Sequence, residues 1–438
     1  MKRSTHPVDE LPPVGQLGAL GLQHVLAMYA GAVAVPLIVG GALGMSKADI
    51  GYLINADLLV SGVATLIQCL GFWRFGVRLP LMQGCTFTAV TPMVFIGTSG
   101  GGLTAIYGAV IVSGALVILL APLWGRLLRF FPPLVTGTVI TVIGLALIPV
   151  SVNWAAGGVG SPSFGAPANL ALALGVLLLV LVVQRFAPAV LSRISVLVGI
   201  VLGTVVAIPL GFTDFSGVSD APLFGVSTPF HFGLPTFDLA AIIAMVVVML
   251  VTMTETTGDI LAVGEMTGST IDGRRLGDGL RADGLSTVLG GVFNTFPYTA
   301  FGQNAGLVGL TKVYSRFVVA AGGGILVILG LFPVLGEIAA RIPAPVLGGA
   351  GIVMFGTVAA IGIRMLAKVA FGDNGNLMVV AVSLGVGLIP TAVPTIYEDF
   401  PNWFRTIMES GISAGALTAV ILNLLFNHTG RRTEDQPS

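Results

Sequence analysis

Apolar runs of about 20 residues, the length a helix needs to cross a bilayer, follow one another along nearly the whole chain. They lie near 17–40, 50–72, 103–123, 132–152, 169–189, 193–212, 238–264, 316–333, 345–366, 375–392 and 407–427. Hydrocarbon offers the backbone no water to bond, so each run is expected to be a helix. Composition agrees. The chain is 55% hydrophobic and 9% charged, with a mean hydropathy of +0.98, whereas soluble domains carry roughly 25% charged residues. Its 61 glycines suit close packing of membrane helices. Zero net charge argues against a nucleic-acid partner. The two cysteines, Cys69 and Cys85, give no disulfide framework. Met1 to Gln16 lacks the apolar core and cleavage site of a signal peptide, so the first run reads as a retained helix. The segment after Asn427 reads as a short polar tail.

Two regions are too interrupted for one clean helix. Region 78–98 holds Pro80, Gly84, Thr86, Thr88, Pro92 and Gly97. Region 282–313 holds Gly290, Gly291, Pro297, Gly302 and Gly306, with the amide pair Gln303–Asn304. Irregular polar backbone is tolerated at membrane depth only where protein or a water-filled cavity surrounds it. Counting the first region as one crossing and the second as two gives about fourteen spans. That even count puts all Lys and Arg except Lys47, Arg341 and Arg405 on one face, which the positive-inside rule makes cytoplasmic, with both termini. The broken crossings are then the third and the tenth. A discontinuous helix in each half points to an inverted-repeat transporter with a midplane site. The two repeats would be seven spans each, roughly 14–212 and 236–427.

Charged groups deep in a bilayer are functional candidates. Glu255 and Asp259, at i and i+4 in the 238–264 run, share one helical face. A low-dielectric pocket does not readily hold two bare negative charges side by side, which is what proton coupling requires. Asp283, after Arg281, reads either as the cap opening the next helix or as a hydrogen-bonded partner of the Glu255 helix. His24 in the first span reads as a packing residue or as a proton carrier, and Phe87 as a core ring or as a stacking surface for a flat ligand. No metal-site spacing links His6, His24, His231 and His428, and no phosphate loop or catalytic motif occurs. The chain reads as a transporter or channel without cofactor or metal, and not as an enzyme.

Gln303-Asn304-Ala-Gly306-Leu-Val-Gly-Leu-Thr311-Lys312 resembles the signature of the nucleobase–ascorbate transporters (nucleobase:cation symporter-2), in the xanthine/urate permease branch. Thr254-Glu-Thr-Thr-Gly-Asp259 is similar to that family's eighth-helix carboxylate motif, Gln23-His24 to its first-helix motif, and Arg281-Ala-Asp283-Gly284 to its ninth-helix start. The resemblance implies an all-α polytopic membrane protein with a seven-plus-seven inverted repeat and short antiparallel strands in spans 3 and 10. It implies a core domain from 14–130 and 236–335, a gate domain from 131–235 and 336–427, and cytoplasmic tails at 1–13 and 428–438. It also implies a homodimer in the cytoplasmic membrane.

By the same resemblance, Glu255, Gln303, Phe87 and Gly302 bind a purine base. Asp259, Asp283 and His24 serve proton coupling, and Asn304, Gly306 and Thr311 support the motif. The implied activity is proton-coupled uptake of xanthine or uric acid. Glutamine at 303 favours xanthine or urate over uracil, because a neutral amide offers both donor and acceptor to a lactam edge. A uracil symporter, an anion transporter of the same architecture, a passive channel and sodium coupling are the alternatives.

Overall fold

The computed structural model describes residues 6–127, 130–220, 222–372 and 374–427. The sequence-read tail 428–438, with His428, Arg431 and Arg432, lies outside them, as do Lys2, Arg3 and Arg129. The first part of the chain forms helices α1 (Val14–Ala42), α2 (Lys47–Leu70), α3 (Val90–Ile96), α4 (Gly102–Leu120), α5 (Trp124–Leu127), α6 (Pro133–Ala155), α7 (Pro167–Phe186), α8 (Ala189–Arg193) and α9 (Ser195–Ala207). The second part forms α10 (Leu239–Thr267), α11 (Gly273–Val292), α12 (Gly302–Thr311), α13 (Arg316–Gly330), α14 (Pro333–Ala340), α15 (Ala344–Leu366), α16 (Asn374–Ala392), α17 (Asn402–Met408) and α18 (Gly411–Asn427). Two strands, β1 (Gln83–Cys85) and β2 (Tyr298–Ala300), interrupt them.

Local chemistry sets the boundaries. Ser46, Asp238 and Asp272 accept backbone N–H groups at the starts of α2, α10 and α11, satisfying donors that a helix leaves open. Gly268 ends α10 in the left-handed conformation that glycine adopts without strain. The Asp272 cap corrects the sequence reading of Asp283 as a helix opener. Helix α11 begins nearly three turns earlier than expected, and Asp283 lies deep in its middle. Arg274, Arg275, Asp278 and Arg281 made this stretch look like a loop, but they ride on the first turns of the helix.

Among the described residues, eight helices are long and apolar enough to cross a membrane, or nine if the bent pair α13–α14 is one span. The other crossings counted from the sequence fall on different kinds of element. Helix α9 spans only 13 residues and α18 only 17, α11 is charged, and the two broken regions are strand–helix units.

Helix α6 packs on α15, α2 on α13 and α4 on α11; α1 also packs on α13, α10 on α4, α7 on α15, and α16 on α6. Close approach depends on glycine. A Cβ on Gly62 would come 2.6 Å from the Gly323 carbonyl of α13, and one on Gly114 would come 2.8 Å from the Gly284 carbonyl of α11, as small-residue packing in membranes requires. The basic residues segregate. Arg78, Arg274, Arg275 and Arg316 line one surface depression with Asp9 and Asp278. Lys47 and Arg341 instead share the electrostatic reach of Asp214, in the loop between α9 and α10.

Candidate functional site

The two interrupted regions meet. Strands β1 and β2 are antiparallel, with Gln83 opposite Ala300, Gly84 opposite Thr299 and Cys85 opposite Tyr298. This is the pairing expected of spans 3 and 10. After β1 the chain makes a turn over Phe87–Ala89, capped by the Thr86 hydroxyl, and enters α3. After β2, Phe301 leads directly into α12. The strands satisfy one another's backbone, so irregular chain survives inside the protein. Two short helices begin where the strands end.

A cavity of about 550 Å³ lies against this junction. Glu255 and Asp259, one turn apart on α10, line it together with Phe87, Thr88, Gly302 and Gln303. The far wall is Ile140 and Ile143 of α6 and Val358, Ile361 and Met365 of α15. The Phe87 ring meets Phe355 of α15 edge-on, with centroids 5.7 Å apart. The four residues read as base-binding thus surround one space. Asp259 joins them; its oxygens lie 3.5 and 3.6 Å from where a Cβ on Gly302 would stand, so that position is not sterically closed to alanine.

Two of the predicted proton-coupling residues stand outside the cavity lining. Asp283 is completely buried and accepts hydrogen bonds from Gln83 Nε2 at 3.0 Å and Gln68 Nε2 at 3.3 Å. It therefore ties α11 to β1 and α2. Asp259 remains within electrostatic reach of both Glu255 and Asp283. Second carboxylate oxygens on Asp259 and Asp283 are buried without a hydrogen-bond partner among the described residues. His24 is also buried, and Asn304 Nδ2 donates to its carbonyl at 2.8 Å and lies 3.1 Å from its Nδ1. Asn304 thereby fastens α12 to α1. Thr311 bonds back to the Leu307 carbonyl at 2.8 Å near the end of α12, while Gly306 faces open space.

Sequence reading missed Asp57. It lies in α2, is 1% exposed, and its Oδ1 accepts from Cys85 Sγ and Tyr298 Oη at 2.7 Å each, Thr295 Oγ1 at 3.2 Å and Ser61 Oγ at 3.3 Å. One oxygen thus holds both strands and the turn before β2. The available signal was a lone aspartate inside the apolar run 50–72.

Apolar helices enclosing a polar, part-open cavity at the meeting of two broken segments define a membrane transport protein. The sequence pattern of the Permease family matches residues 15–396, and the chain belongs to that family. It is 46% identical to the uric acid transporter UacT of Escherichia coli strain K12 over 428 residues, 97% of this chain and 89% of that protein. It is also 46% identical to a xanthine permease of Bacillus subtilis strain 168 over 413 residues, 94% of each. In fold it is similar to the transmembrane domain of a cyanobacterium bicarbonate transporter, with a TM-score of 0.62 at 16% identity, covering 95% of this chain and 100% of that one. Murine Slc26a9, an anion transporter, gives the same TM-score at 13% identity, covering 95% of this chain and 69% of that one.

Proposed function

We propose that this protein takes up an oxidised purine, xanthine or urate, in symport with protons. The observation that carries the reading is the convergence of Glu255 on α10 and Gln303 on α12 in one cavity beside the Phe87 ring. A carboxyl and a carboxamide supply the donors and acceptors that opposite edges of a lactam ring demand, and an aromatic face supplies stacking. The relatives named as uric acid and xanthine carriers support this substrate class. The buried carboxyls of Asp259 and Asp283, each with one oxygen lacking a hydrogen-bond partner among the described residues, are where incoming protons would sit, and Gln83, Asn304 and His24 hold the surrounding elements in place. Protons neutralise the carboxylates, the base binds between Phe87, Glu255 and Gln303, and one half of the protein then moves against the other. Binding that prefers one protonation state links the two flows.

The fourteen-span reading assigns α1, α2, β1–α3, α4, α6, α7 and α9 to one repeat. It assigns α10, α11, β2–α12, α13, α15, α16 and α18 to the other. Exchanging the repeats turns the contact of α2 with α13 into that of α11 with α4. It likewise turns α1 on α13 into α10 on α4, and α7 on α15 into α16 on α6. The α6–α15 and β1–β2 pairs map onto themselves. This exchange of partners supports the inverted repeat. The core would then be 14–130 with 236–335, and the gate 131–235 with 336–427. Both termini would be cytoplasmic, and the protein a homodimer in the cytoplasmic membrane.

The test is uptake of radiolabelled xanthine and urate in cells lacking their own carriers, with and without a protonophore. Uptake that collapses with the proton gradient and is lost in Glu255→Gln, with the variant still in the membrane, is the expected result. Normal uptake by that variant removes Glu255 from the mechanism, and indifference to the protonophore removes the protons.

A further inference from the structure

We infer that Arg364, in the last turn of α15, and Lys368, just beyond it, select for the charge of the purine and favour an anionic base over a neutral one. The inference rests on the cavity being a purine site. Positions 358, 361, 365 and 368 recur at helical spacing and all line that cavity, with Arg364 beside them. Along this stripe the wall changes from apolar (Val358, Ile361) to cationic (Arg364, Lys368). Both cations are exposed. Among the described residues neither is paired to an acid, and they are the only Lys or Arg that line this cavity. Two basic groups without an acidic partner among the described residues therefore line the cavity.

The other charged groups lining the cavity are Glu255 and Asp259. In the proposed cycle protons neutralise these two before the base binds, so Arg364 and Lys368 are the charge that an incoming base meets, and a cationic wall favours an anion. Uric acid loses a ring proton readily and is an anion at neutral and mildly acidic pH, whereas xanthine is largely neutral at mildly acidic pH. A pair of cations distinguishes these two bases, although their shapes are nearly the same. Lysine and arginine at this end of α15 also fit a plain role as cytoplasmic anchors, and the two roles predict different results.

The experiment measures urate and xanthine affinity at mildly acidic pH, by competition uptake and by binding to purified protein. It compares the wild type, the neutral double variant Arg364→Gln/Lys368→Gln, the charge-preserving swap Arg364→Lys/Lys368→Arg, and the single variant Lys368→Gln. Lys368 lies beyond the end of α15 and is exposed, so the single variant keeps the test open if the double variant misfolds. The expected result is a fall of about tenfold in the urate-to-xanthine affinity ratio in the double variant, the loss of two screened unit attractions. The fall is about threefold in Lys368→Gln, absent in the swap, and smaller at high salt. Equal changes for both bases, or no change for either, overturn the inference. A wild type that binds neither base refutes the purine reading instead.

Discussion

Gly84→Ala tests how tightly the candidate site is built. The Phe301 ring is 4% exposed and is wedged between two glycines on different elements. A Cβ on Gly84 of β1 would stand 2.4 Å from the ring, and one on Gly31 of α1 would stand 2.8 Å from its other edge. The ring has to give by about 1 Å, the difference between 2.4 Å and ordinary contact at 3.4 Å. Gly31 leaves little room on the far side, and the Met28 methyl already lies 2.9 Å from the new atom. Overpacking of this kind costs about 1–3 kcal/mol. The strain falls on the segment that sets Gln303, because Phe301 N–H donates to the Met82 carbonyl at 2.9 Å and the Phe301 carbonyl accepts the first amides of α12. Losing the hydrogen bonds of a displaced Gln303 would forfeit a further 1–3 kcal/mol, roughly 5- to 150-fold in Kd. Equilibrium purine binding and thermal melting of purified Gly84→Ala measure both effects. Gly84→Ala/Phe301→Leu should recover part of each, because a smaller side chain frees the slot. Unchanged affinity and unchanged Tm in the single variant would refute the wedge.

Other variants probe separate links. Gln303→Ala should weaken purine binding by about 1–3 kcal/mol, read as Kd; an unchanged value would place Gln303 outside the pocket. Asp57→Asn keeps an oxygen for the hydroxyls of Tyr298 and Thr295 and should cost under about 1 kcal/mol. Asp57→Ala orphans buried donors and should cost about 1–3 kcal/mol for each one left unpaired, so the two melting temperatures should differ clearly. Asp9→Ala breaks a 2.7 Å ion pair with Arg316 in which Asp9 is half exposed. It should shift stability by less than about 1 kcal/mol, and a larger drop in Tm would mean that the N-terminal segment is held by more than its hydrophobic contact at Val8.

The long apolar helices were legible, because lipid reduces each apolar run to one backbone solution; eight or nine of them are long and apolar enough to cross a membrane among the described residues. The broken regions were legible for the complementary reason, that glycine, proline and amide clusters cannot be ordinary lipid-facing helix. Glu255, Asp259, Gln303, Gly302 and Phe87 do line one space. Asp283 was misplaced because arginines and glycines hid the first turns of α11, and only the Asp272 cap reveals where that helix starts. Asp57 escaped because its partners, Cys85, Thr295 and Tyr298, lie far along the chain. The second wall of the cavity escaped for the same reason. Hydropathy identifies α15 as a membrane helix but does not say that its C-terminal end faces α10.

The three-pair ribbon of β1 and β2 has a mechanical consequence. Phe87 and Gln303 are carried on chain that leaves opposite ends of one hydrogen-bonded patch. If they hold the base as proposed, neither can travel without dragging the other, and the floor of the cavity would be hoisted or tilted against α6 and α15 as a single plank.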